Sequence, residues 1–307
     1  MAGIALYSGN GGQRGFWQAV LVVPLAWLFV FVAARLAGMV SGVAGLQASG
    51  QSGRWQDNIC ALFAWGLVLL ALWAWLRWRE KRTLVSIGLT PYGGRRFMTG
   101  FLLGLVLVVV AIAAGVGLGA FQLNGPGAWY NHLTPTWLFA STLVIIGTIL
   151  QAVTMEALYR GWVMQSVAGA LGLRWSILIN SIMFAAIQAG DIGHAPEVAL
   201  GAVNLALLAW LLSRIAARDD VLWAACGLHA AWNQVMGLGT GLNIEGNHLN
   251  VTPMLVALQI SYDAPWWLNG GDFGPDGSIL ATAALLAALL WPGLKIRLRE
   301  HDHEDDD

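Results

Sequence analysis

Residues 97–120 read FMTGFLLGLVLVVVAIAAGVGLGA, a run without a single charge. About 20 apolar residues suffice to cross the hydrocarbon layer as a helix, where every backbone group must be paired within the segment. This stretch therefore predicts a transmembrane helix. Similar runs lie at 16–39, 59–76, 137–154, 175–189, 198–213, 221–238 and 278–294. The fold class expected is all-α, a polytopic integral membrane protein with about eight spans. The runs at 175–189 and 198–213 are short, which implies tilt or shielding by neighbours.

Composition agrees with that reading. Of 307 residues, 57% are hydrophobic and 11% charged, with a mean hydropathy of +0.64, whereas a soluble domain carries about 25% charge. Sixteen basic residues against seventeen acidic ones leave a net charge of −1, so no basic field for nucleic acid exists. Cys60 and Cys226 both sit inside apolar runs and read as small hydrophobes, not a disulfide framework. Residues 1–15 are polar and Gly-rich, and the run after them is too long for a signal-peptide core, so it reads as a retained first span. Neither end carries a lipidation motif.

Basic residues orient the chain. With the N-terminus inside, Arg14, Arg77, Arg79, Lys81, Arg82, Arg95, Arg96, Arg174, Arg214, Arg218, Lys295, Arg297 and Arg299 all fall on the cytoplasmic side, and Arg35, Arg54 and Arg160 do not. The positive-inside tendency then places both termini in the cytoplasm of a cell-membrane protein. Residues 241–277 contain no Lys or Arg, as suits an outer loop, and Trp266-Trp267 reads as an interfacial anchor. Four regions are expected: 1–136 with three spans, a core at 137–238, an outer loop and last span at 239–294, and an acidic tail at 295–307 whose two histidines read as solvated. No internal repeat suggests a transporter.

Against this apolar background, ionisable residues inside spans are functional candidates by default. Glu156 and Arg160 follow the fourth run four residues apart, on one helical face. Their simplest role is mutual neutralisation at a helix end. His229 and Asn233 repeat the spacing in the seventh run, and Gln188 follows Phe184 by four in the fifth. His229 and Asn233 on their own serve equally well as interhelical hydrogen-bond glue. At about 1.5 Å per residue, Gln188, His229 and residues 155–156 lie roughly 10–20 Å from the cytoplasmic ends of their helices, and are expected to converge on one buried pocket.

Three motifs in this order resemble a known family. Met155-Glu-Ala-Leu-Tyr-Arg160-Gly161 resembles the E-E-x-x-x-R-G element of the CPBP family, which comprises the type II CAAX prenyl endopeptidases and bacterial relatives also called the Abi family. Phe184-Ala-Ala-Ile-Gln188 resembles its F-x-x-x-H element, and His229-Ala-Ala-Trp-Asn233 its H-x-x-x-N element. Residues 269–278 are similar to the Gly-rich lead-in to a final span in bacterial members. The resemblance covers about 137–238 and implies a CAAX-protease-like helical core. It also implies that the first Glu of motif one and the His of motif two activate water, while the His and Asn of motif three stabilise the oxyanion, with metal dependence argued in the family and prenylated C-terminal peptides as substrates of eukaryotic members.

This chain departs at the two water-activating positions, which are Met155 and Gln188. Methionine accepts no proton, and glutamine is no base near neutral pH. Losing a general base costs about 10²–10⁴-fold, so peptidase activity is expected to be lost or much reduced. The expected role is a membrane partner or a ligand-binding protein for an unknown membrane protein or lipidated peptide. The alternative is an active intramembrane endopeptidase cleaving a membrane-associated or lipidated peptide with Glu156, His229 and Asn233, Arg160 beside them, in which either Glu156 swings in as the base or His194 or Glu197 folds back over the pocket. A divalent metal such as zinc enters only if the site is active, with His229, Glu156 and His194 as its candidate ligands.

Overall fold

The computed structural model describes Tyr7 and residues 13–43, 55–130, 132–189 and 196–294. Ten α-helices are found among them: α1 Gln13–Val43, α2 Trp55–Ala74, α3 Gly94–Gly117, α4 Pro135–Glu156, α5 Met164–Leu171, α6 Leu173–Ala189, α7 Pro196–Asp219, α8 Trp223–Gln234, α9 Trp266–Asn269 and α10 Ile279–Leu290. Three π-helical segments extend α2 (Trp75–Glu80), link α4 to α5 (Ala157–Val163) and extend α8 (Val235–Gly239). Five helical stretches are long and apolar enough to cross a membrane: Ala19–Leu36, Asn58–Glu80, Gly94–Gly117, Pro135–Leu171 and Pro196–Asp219. Two shorter apolar helices, Leu173–Gln188 and Ile279–Leu290, accompany them. The protein is mostly helical and multi-pass, and outward side chains such as Leu21, Phe31, Val106 and Val110 are exposed and apolar.

The seventh apolar run has a different character. From Ala224 to Asn233 every residue of α8 is buried, so this helix is enclosed by protein. Glycines make the enclosure tight. A Cβ on Gly100 of α3 would sit 1.8 Å from Ala224 O, and one on Gly227 of α8 would sit 2.0 Å from Phe97 O. Small residues let helix backbones approach this closely in a membrane, where packing and not hydrophobic expulsion drives association.

One sequence expectation changes. The fourth span does not end before Glu156: helix continues from Pro135 to Leu171, about 55 Å at 1.5 Å per residue, and the Glu156–Arg160 pair lies within it. Neutralised by each other, the two charges are tolerated inside a helix and need not mark its end. Beside the helices, which agree with the all-α membrane class, lies one small sheet that the sequence did not announce. Strands β1 Phe121–Pro126 and β2 Val256–Ile260 pair antiparallel, with Phe121 opposite Ile260 and a bulge between Leu123 and Gly125. Runs of five or six residues whose partner lies about 130 positions away leave no periodic signal. The sheet follows α3 and precedes α9, on the side of the molecule read as outer.

Thr134 caps α4 by accepting from Trp137 N, with Pro135 at the first helical position, and Ser278 caps α10 by accepting from Ala281 N. Each supplies an acceptor for an otherwise orphaned helix-end donor.

Candidate functional site

Motif one sits on a wide turn. The π segment Ala157–Val163 carries Tyr159, Arg160 and Trp162, all buried; such single-turn departures from α geometry recur at functional sites. The segment is anchored against the end of α2. Trp162 Nε1 and Trp75 Nε1 both donate to Glu80 Oε1, at 2.7 and 2.8 Å, fixing α5 against the end of α2. Tyr7 reaches the same segment, its hydroxyl donating to Arg160 O at 3.0 Å.

Glu156 is the centre of the inner site. Its Oε1 accepts from Arg160 Nη1 at 3.1 Å and lies 2.9 Å from His229 Nδ1, the tautomer in which that nitrogen donates. All three side chains are almost wholly buried. The Arg160 guanidinium also lies 4.6 Å from the Phe184 ring centroid, and that ring meets Tyr159 and His229 edge-on, at 5.3 and 6.0 Å. A cation over an aromatic face is stabilised most where water is excluded. Among the described residues, Glu156 Oε2, Arg160 Nε and Nη2, and the Tyr159 hydroxyl have no hydrogen-bond partner.

The structure thus brings Glu156, Arg160 and His229 together. Met155 is fully buried in the apolar core, and Asn233 lies one turn beyond His229 on α8. In motif two, Phe184 meets His229 edge-on, and Gln188, four residues later on α6, has a different partner. Its amide Nε2 donates to Glu245 Oε2 at 2.6 Å. His194 lies outside the described residues. Glu197 packs against Gly271 in the outer segment, where an added Cβ would come within 3.0 Å of its carboxylate.

Glu245 and its neighbour Asp276 are the site residues that sequence reasoning did not single out. Asp276 Oδ1 accepts from Trp232 Nε1 at 2.8 Å, and Asn204 Nδ2 holds the backbone around it by donating to Asp276 O and Ser278 O. Burial pushes Glu245 up to about 8, with the Asp276 charge adding to the rise and the Gln188 hydrogen bond opposing it. Burial raises Asp276 to about 6, against hydrogen bonds from Trp232 and the Glu245 backbone. Near neutral pH Glu245 is therefore favoured in its protonated form, while Asp276 keeps its charge on the Trp232 indole.

The donors do not fit a zinc ion. His229 turns Nδ1 to Glu156, Met155 and Gln188 supply no anionic ligand, and among the described residues no group of three His, Cys, Asp or Glu side chains is gathered to hold a metal. A zinc site needs three or four such ligands.

Residues 135–235, about a third of the chain, match the family model described as type II CAAX prenyl endopeptidase Rce1-like, and that segment contains all three motifs. No curated protein matches the chain.

Proposed function

With a type II CAAX prenyl endopeptidase Rce1-like segment at residues 135–235 as the premise, we propose that this multi-pass protein keeps the family's site as a binding cavity. Its peptidase activity is lost or much reduced, and its guest is a lipidated peptide or a segment of a membrane partner. The observation that carries this reading is the engagement of Glu156. The one carboxylate left in motif one is shared between Arg160 at 3.1 Å and His229 at 2.9 Å, while the preceding position is a buried methionine. The shared oxygen is occupied by two partners and leaves no place for an attacking water. The unpartnered atoms of Glu156, Arg160 and Tyr159 support a polar guest, because buried donors and acceptors ordinarily find partners. The same proposal takes all eight apolar runs as crossing the cell membrane, with both termini cytoplasmic.

The test restores what is missing. An internally quenched peptide with a prenylated cysteine near its C-terminus serves as the probe, with the full chain in lipid nanodiscs. Met155→Glu combined with Gln188→His is expected to cleave it at least about 100-fold faster than wild type, the low end of what a general base contributes. Wild type cleaving as fast as the double variant overturns the proposal, and a folded double variant that stays inert refutes a site decayed only at its base.

A further inference from the structure

The outer turn that delivers Glu245 is built against local preference. Ile244 and Asn247 close it by paired backbone hydrogen bonds of 2.9 and 2.8 Å, and its two central residues, Glu245 and Gly246, have φ of +50° and +78°. Consecutive positive φ values define the mirror-image turn, whose first central position favours Asn, Asp or Gly. Glutamate there is strained, and such strain persists where the surroundings over-determine it, most often at functional sites.

The surroundings do over-determine it. Gly246 N donates to Phe273 O at 2.9 Å, and the Glu245 backbone supports the Asp276 carboxylate, which Trp232 holds from α8. The carboxyl of Glu245 is then set on Gln188 of α6, the position where the family's motif carries its water-activating His. The turn is thus tied to the helix of motif two and, one residue before Asn233, to the helix of motif three. Gln188 is half-buried and Glu245 is 9% exposed, whereas His229 is 1% exposed and Glu156 and Arg160 are wholly buried.

We propose that Glu245, presented by the outer turn on Gln188, is the general base of whatever peptide hydrolysis this site retains. The inference rests on the reading that residues 155 and 188 do not activate water. Water placed by the Gln188 amide attacks the scissile carbonyl carbon, and Glu245 takes one of its protons as the new C–O bond forms. The displaced carbonyl electron pair becomes an oxyanion received by the His229–Asn233 pair. When the intermediate collapses, the C–N bond breaks and Glu245 returns its proton to the leaving amine. Atoms and charge balance with water as the only co-reactant, and no metal takes part. The titratable groups facing Glu245 are Asp276, from the segment before α10, and Tyr159, on the π segment.

The test uses the cell's own membrane proteins as the substrate pool. Membranes from a strain deleted for the chain are reconstituted with full-length wild type, Glu245→Gln or Glu245→Asp at matched levels. New protein termini are then quantified between pH 6 and 9. The expected result is termini that depend on wild type, fall at least about 100-fold with Glu245→Gln and partly return with Glu245→Asp, wild-type cleavage rising with pH and levelling above about 8. Met155→Glu with Gln188→His, placed on Glu245→Gln, is expected to restore cutting, which separates a lost base from a lost fold. Termini that depend on wild type but are unchanged by Glu245→Gln overturn the inference and the reading of reduced activity together. Absence of any wild-type-dependent terminus overturns the inference alone and leaves the binding cavity standing.

Discussion

The inner and outer halves of the site hold their carboxylates by opposite means. Inside, Glu156 lies on a continuous helix, fully buried, with a guanidinium and an imidazole on one oxygen. Outside, Glu245 and Asp276 lie on irregular backbone, one of them strained, with an amide and an indole as their side-chain partners. Charge in a low-dielectric interior survives either by pairing or by proton uptake. The inner half is therefore expected to be a matter of pairing, and the outer half a matter of protonation.

The largest effect falls on the inner half. Arg160→Met leaves Glu156 buried without its guanidinium, and removing one partner of a buried pair costs about 3–5 kcal/mol. Thermal unfolding in detergent is expected to show that loss, and Glu156→Gln added to Arg160→Met to recover most of it. Tolerance of Arg160→Met alone would break the comparison, because Glu156 would then be held by something other than pairing.

What the sequence made legible follows the same division. Sustained apolarity marks helices, and all eight apolar runs fall on them, from α1 to α10. The spacing of Glu156 with Arg160 announces a shared face, which the 3.1 Å contact realises. Glu245 escaped because its partner lies 57 residues earlier and because an irregular segment has no period to read. A signal was present even so: Glu245-Gly246-Asn247 is turn chemistry carrying a carboxylate into a loop without Lys or Arg. Asp276 likewise sits in a Gly-rich stretch whose reading as a lead-in to the last span hid the one side chain that meets α8.

The outer half is exposed by pH. A carboxyl whose folded pKa is about 8 against an ordinary 4.5 binds its proton more tightly in the native state. Its contribution is therefore complete below about 4.5 and lost as pH rises through about 8. Asp276, at about 6, finishes its own loss earlier, so between pH 6 and 8 the slope belongs mainly to Glu245. Wild type is expected to lose at most about 2–3 kcal/mol across that window, and Glu245→Gln to be nearly flat. Equal slopes in the two proteins would mean that Glu245 is ionised throughout, and the two halves would no longer differ in kind.

The smallest effect concerns the bond that joins the outer half to the helices. Gln188→Leu removes the donor to Glu245 Oε2, a single hydrogen bond of about 0.5–1.5 kcal/mol net. Since that bond favours the charged carboxylate, losing it raises the Glu245 pKa further. The pH-dependent fall in stability is then expected to move to higher pH while the stability at pH 9 drops slightly. A fall that stays where it is in Gln188→Leu would show that Glu245 is governed by its own turn and by Asp276 alone. In that case α6 no longer participates in the outer carboxyl's protonation, and the outer half becomes a property of the loops instead of a site shared with motif two.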